Sequence, residues 1–165
     1  MNLLMNISDA VATHARLTPH KLGARDSKRQ LSFEAWHQRA TQLANGLRAM
    51  GLEKGDRVAL LAYNCVEWME IYAGLARAGL VAVPLNFRLT SPEIEYIVTH
   101  SEAVAFIVQD ELIDRVQPLR ESLNISPKAY LSFGNKVPDG WQAYESMLRT
   151  APAYIQPVDV KPGDM

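Results

Sequence analysis

The sequence predicts an α/β fold, a mainly parallel sheet with crossover helices, preceded by a helix and a β-hairpin. Three observations predict it. Four short apolar runs start at Val58, Val81, Val104 and Lys128, 23 or 24 residues apart, the length of a strand–helix–strand unit. Within each run apolar and polar residues do not alternate, as strands buried on both faces require. Between the runs, apolar residues recur at three- and four-residue spacing, the period of a helix with one buried face. The runs differ in sequence, so they form one sheet and not a solenoid of repeats.

The elements follow in order. The opening reads as a helix capped by Ser8, with Ile7, Val11 and Ala15 on one side, ending before Pro19. "KLGARDSKRQLSF" places two apolar stretches around a polar turn at residues 26–29, a hairpin signal. Ser32 caps a helix carrying Trp36, Ala40, Leu43, Leu47 and Met50, and Gly51 closes it. "RVALLAY" at 57–63 is the first sheet strand, with 57–62 as its paired part. Asn64 caps the next helix, whose inner stripe is Trp68, Ile71, Tyr72 and Leu75 and whose end is Gly79. "LVAVPL" at 80–85 is a strand with Pro84 at its end. Ser91-Pro92-Glu93 then opens a helix, with Pro92 at the first helical position, where its missing N–H costs nothing. Strands follow at 103–108 and 128–133, with a helix around 110–122 weakened by Pro118. A short helix near 141–149 precedes an extended Pro-rich tail over 150–165.

Composition excludes several function classes. The chain has 165 residues, 48% apolar and 21% charged, which suits one domain with a real core and argues against disorder. Lys plus Arg total 17 against 18 Asp plus Glu, so a net charge of −1 gives no electrostatic reason to expect nucleic acid or an anionic membrane. The lone Cys65 forms no internal disulfide, which favours a reducing compartment. The apolar run before Asp9 is too short for a signal peptide, and no stretch reaches the length of a membrane span. The expectation is a soluble cytoplasmic chain.

Parallel sheets bind ligands at the carboxyl ends of their strands. Those ends carry Tyr63-Asn64-Cys65, Asn86-Phe87-Arg88, Gln109-Asp110-Glu111 and Gly134-Asn135-Lys136. None is a glycine-rich phosphate turn, the third is too acidic for phosphate, and the second is the most polar and aromatic. His14, His20, His37 and His100 fall in separate segments without metal-ligand spacing. Cys65, at a helix N-terminus, has a reason for a lowered pKa, but a small residue packed beneath the helix is the preferred reading. Glu67 and Glu70 share a helix face and read as an exposed acidic surface rather than a catalytic pair. Arg25, Lys28 and Arg29 read as a solvated hairpin tip rather than a phosphate contact. Asp56-Arg57 reads as turn chemistry. The residues thus supply no catalytic, cofactor-binding or metal-binding position.

Four stretches in order carry a resemblance: "QLSFEAW" (30–36), "LANGLRAMGLEKGDRVALLAYNCVEW" (43–68), "ARAGLVAVPLNFRLT" (76–90) and the closing "KPGDM". From about residue 7 to 165 the chain resembles the N-terminal part of the adenylate-forming acyl-CoA synthetases. The resemblance implies the N-terminal subdomain of that enzyme fold, with 1–165 a partial AMP-binding domain. For the full-length enzyme it implies an ATP-dependent acid–CoA ligase using ATP, Mg and coenzyme A, with a carboxylic acid as substrate. "PLNFRLT" leans towards a fatty or aryl acid. In the family a turn like "KPGDM" leads into the phosphate-holding loop, so the stretches matched here are scaffold. The chain alone is expected to be catalytically incomplete, to bind no cofactor, and to be prone to self-association through exposed apolar surface. A free-standing α/β binding or interaction module without catalysis is the alternative.

Overall fold

The computed structural model describes residues 6–154, 158 and 160. The chain forms two compact units, one of residues 1–55, 64–80 and 148–165, the other of residues 56–63 and 81–147.

The first unit begins with α1 (Ile7–Leu17). Its cap is Asn6 and not Ser8. The Asn6 Oδ1 accepts from the Asp9 N–H at 3.2 Å while the Asp9 carboxylate accepts from the Asn6 N–H at 3.1 Å. Ser8 is buried inside the first turn. The hairpin forms as expected, β1 (Leu22–Arg25) pairing antiparallel with β2 (Gln30–Ser32). The Ser32 hydroxyl accepts from the Ala35 N–H at 3.1 Å and starts α2 (Phe33–Ala49), and Gly51 follows the helix at φ +94°. Val11, Leu31, Trp36, Ala40, Val66 and Ala73 form the apolar cluster of this unit.

Helix α3 (Glu67–Ala78) ends at Gly79, as expected, but no Asn64 side chain caps it. The Val66 N–H donates at 2.8 Å to Asp26, on the hairpin turn. Of the expected inner stripe, Ile71 and Leu75 are buried, whereas Trp68 and Tyr72 stay half-buried, their rings 5.4 Å apart. Ala73 and Gly74 take the inner positions instead, because α3 packs close on α2. A Cβ at Gly74 would stand 2.8 Å from the Leu43 side chain, and only glycine admits that approach.

The second unit holds β3 (Arg57–Leu61), β4 (Val81–Leu85), β5 (Ala105–Gln109), β6 (Tyr130–Phe133) and β7 (Gln142–Ala143). They form one parallel sheet in the order β4-β3-β5-β6-β7. Ala59 is level with Val83 on one side and Phe106 on the other. The interior of β3, β5 and β6 is fully buried, which is why these runs show no alternation. Pro84 lies within β4, opposite Leu60, rather than ending it. That is tolerated because β4 is at the sheet edge, where one row of N–H groups has no ladder to supply.

Three boundaries moved. Residues 110–122 form no single helix; a 3-10 turn, the one-turn α5 (Ile113–Val116) and a second 3-10 turn at Gln117–Leu119 replace it. Pro118 lacks the N–H a continuous helix would need. β6 starts at Tyr130 because Pro127–Ala129 form a 3-10 turn. The helix expected near 141–149 starts only at Tyr144, because Gln142–Ala143 form β7, a strand too short to show a period. α4 (Ser91–His100) gains a cap the sequence reading missed, the Thr90 N–H and hydroxyl both donating to Glu93 at 2.8 Å.

After α6 (Tyr144–Thr150) the described residues 151–154, 158 and 160 form neither helix nor strand, and the rest of the tail expected over 150–165 lies outside the described residues. Tyr154 is 79% exposed, as its Pro-bounded setting suggests. Ile155 and most later positions lie outside the described residues. Among the described residues no helix is long and apolar enough to cross a membrane.

Candidate functional site at the carboxyl ends of the parallel strands

Within the second unit the loops after β3, β4, β5 and β6 are tied to one another. After β3, the Tyr63 N–H donates to Gln109 Oε1 at 2.9 Å, and its ring lies 5.0 Å from Phe87 in the loop after β4. Arg88 lays its guanidinium 4.8 Å over the Phe87 ring, and its own N–H donates to Asn86 Oδ1 at 2.9 Å. Arg115 of α5 holds this loop from behind, donating to the Phe87 carbonyl and, at 3.1 Å, to the Leu89 carbonyl.

The loop after β6 is fixed by the one after β5. Asp110 accepts from the Asn135 and Lys136 N–H groups at 2.7 and 3.0 Å. Gly134 sits at φ +115°, and a Cβ there would collide with the Asp110 carboxylate. The carboxylate that made this loop look hostile to phosphate serves as a clasp for two backbone donors. Chemically the rim offers aromatic faces and the exposed cations of Arg88 and Lys136. Its other fixed donors, Arg115 and the amides at 135 and 136, already serve protein acceptors. A triphosphate needs several converging donors, so the described rim residues do not fit one.

The first unit contradicts two readings of single residues and upholds a third. Glu70 is fully buried, not on an exposed acidic face; Arg39 binds it through two nitrogens, one at 3.0 Å, and Arg29 stands 3.8 Å away. Burial pushes its carboxyl up, opposed by the Arg39 and Arg29 charges. Glu67 pairs with Arg29 at 2.5 Å, so this hairpin-tip arginine is half-buried in an ion pair rather than freely solvated, while Arg25 and Lys28 are exposed as expected. Cys65 shows the opposite of helix-terminus activation. Burial and the Glu67 carboxylate push its thiol up to about 12, leaving the packed-thiol reading.

Arg57 is more than turn chemistry, donating to the Ser101 carbonyl at 2.9 Å and to the Glu102 carboxylate at 2.8 Å. His14 stacks on Phe33, and His100 on Tyr96. Among the described residues no three His, Cys, Asp or Glu side chains group as a metal site would need. Sequence reasoning missed Asp26, Arg39 and Asn45 as organising residues. Only Asp26 carried a signal, as the acidic residue of a tight polar turn.

The model of the AMP-binding enzyme family matches residues 11–165. A fatty acid–[acyl-carrier-protein] ligase, ScoC of Streptomyces coeruleorubidus, is 31% identical over 159 residues, 96% of this chain and 29% of its own length. A feruloyl-CoA synthase of an Amycolatopsis species is 39% identical over 105 residues, 64% of this chain and 21% of its own. Among solved structures, the anthranilate CoA ligase AuaEII in complex with anthranoyl-AMP superposes with TM-score 0.89 at 24% identity, over 96% of this chain and 30% of that one. The N-terminal domain of FACL13 from Mycobacterium tuberculosis superposes with TM-score 0.76 at 27% identity, over 97% of this chain and 39% of that one. The chain therefore spans less than a third of the length of the curated relatives it matches.

Proposed function

Because the chain belongs to the AMP-binding enzyme family, we propose that residues 1–165 are the N-terminal portion of an ATP-dependent acid–thiol ligase. The whole enzyme activates a carboxylic acid with ATP and Mg and transfers it to coenzyme A. The observation that carries this reading is the unbroken family match over residues 11–165. Names of relatives acting on fatty and ferulic acids support a fatty or aryl acid as substrate class. A reducing, cytoplasmic setting suits the single, unactivated cysteine.

In this division of labour the present residues orient and brace. The Tyr63–Phe87–Arg88 surface is held in place by Arg115, and the Asp110 clasp fixes the neighbouring loop. The committed donors of the rim support a second part of the proposal, that residues 1–165 alone hold no ATP and form no acyl adenylate. Residues 150–165 act as the connection to the rest of the enzyme.

A chimaera tests the ligase reading, with residues 7–165 replacing the matching segment of the Streptomyces acyl-carrier-protein ligase. Acid-dependent exchange of pyrophosphate into ATP, within about tenfold of the parent, is the expected result. A folded chimaera with no exchange overturns the reading. Exchange by residues 1–165 alone overturns the second part.

A further inference from the structure

The chain beyond α6 makes no helix or strand among its described residues, yet one side chain and one backbone carbonyl far back in sequence hold it at separate points. The Asn45 Nδ2 of α2 donates to the Pro152 carbonyl at 2.6 Å and to the Tyr154 carbonyl at 3.0 Å. Further on, the Val158 N–H donates to the Arg77 carbonyl of α3 at 3.2 Å. Val158 also packs at the end of α3, its Cγ1 3.0 Å from where a Cβ on Gly79 would stand. Both partners of Asn45 are carbonyl oxygens, which accept only, so the amide nitrogen and not the amide oxygen must face them. One NH2 group thereby satisfies two backbone acceptors two residues apart. Pro152 has no N–H of its own to anchor it to a neighbouring strand.

We propose that Asn45 is a positioning residue that holds Pro152 and Tyr154 on α2 and so sets where Val158 meets α3, fixing where the N-terminal portion hands the chain on. The functional half of this inference rests on the ligase reading above. The positional half does not. Asparagine is specific to the task. Aspartate of the same shape offers two acceptors to two carbonyls, and leucine of similar size offers nothing. Neither substitution removes a buried apolar contact, and leucine is the better helix former, so α2 itself keeps its stability.

Amide hydrogen exchange on residues 1–165 reads the positional half, comparing the native chain with Asn45→Asp and Asn45→Leu. In both variants the Val158 amide is expected to exchange at least about tenfold faster, while the amides of Leu43 and Leu47 keep their protection. An unchanged Val158 amide, or equal acceleration at Leu43 and Leu47, overturns the proposal. The same substitutions in the chimaera read the functional half. Pyrophosphate exchange should fall about tenfold at an unchanged melting temperature, a split that loss of stability would not produce. Unchanged exchange in an active chimaera refutes the positioning role in catalysis. An inactive parent chimaera sinks the ligase reading instead, and leaves hydrogen exchange to decide the tether.

Discussion

The first unit is tied together by polar side chains distant in sequence, the second by apolar strands lying side by side. In the first, Asp26 caps α3, Arg29 and Arg39 neutralise Glu67 and Glu70, Trp36 donates to the Met69 carbonyl, and Asn45 tethers the tail. In the second, β3, β5 and β6 present almost unbroken burial, and the ionic and backbone-clasping contacts described above gather at strand ends and loops. The difference teaches where specificity resides. Apolar burial decides that a sheet forms, while paired charges decide which helix turns meet.

The sharpest way to break this comparison is to truncate one buried side chain in each unit, a charged one in the first and an apolar one in the second. Glu70→Ala leaves the Arg39 and Arg29 cations facing a fully buried gap, and is expected to cost about 3–5 kcal/mol in urea unfolding. Ile107→Ala, in the middle of β5, is expected to cost about 3 kcal/mol by cavity formation. If Glu70→Ala proves milder than Ile107→Ala, the polar ties of the first unit are ornaments on an apolar core.

A third variant probes the Asp110 clasp of the second unit. Gly134→Ala forces a side chain at φ +115° into Asp110, a strain of about 1–3 kcal/mol. Combined with Asp110→Ala, the second change should cost less than it does alone, since the collision has gone. Strict additivity in thermal melts would show that the clasp is not what confines Gly134.

Asp26 gives the pH dependence. Its hydrogen bonds from the backbone amides of Arg29, Lys28 and Val66 hold its carboxyl below the ordinary range. A carboxyl lowered on folding contributes stability that is present above its unfolded pKa and is lost as pH falls through the folded value. The native chain should therefore have a higher urea midpoint than Asp26→Asn at pH 7, with the gap closing below about pH 4. A gap that persists at pH 2 would remove Asp26 from its capping role. The smallest effect on folding belongs to Cys65, whose raised thiol should alkylate about fiftyfold more slowly than a free cysteine at pH 8, the thiolate deficit being partly offset by higher nucleophilicity. Free-thiol rates in the folded chain would show that burial and the Glu67 carboxylate do not restrain it.

Which parts of the molecule were legible follows the same division. The strands at 57–61 and 130–133 and the Ser32 cap were readable because burial and capping act through neighbours in sequence. Asn64 was chosen to cap α3 for the same local reason, and was wrong because Asp26, 40 positions earlier, reaches the free Val66 N–H first. Glu70 looked solvent-facing because a helical wheel shows only one helix, and the arginine that neutralises it is on α2. At the rim, the loops were located from the strand ends alone. Nothing in their residue types told that Asp110 would face inward to two amides.

The two ends of the sheet are guarded differently, and this bears on how the chain behaves in a crowded solution. β4 exposes a flank interrupted by Pro84, and β7 offers two residues of ladder. A foreign strand seeking to template on the sheet meets a missing hydrogen-bond donor on one side and too short a template on the other. Replacing Pro84 with valine would mend the β4 ladder and turn that flank into a nucleation surface. Colloidal instability is then expected to be gained by a substitution that makes the strand itself more regular, visible as concentration-dependent light scattering of Pro84→Val at a protein concentration where the native chain stays clear.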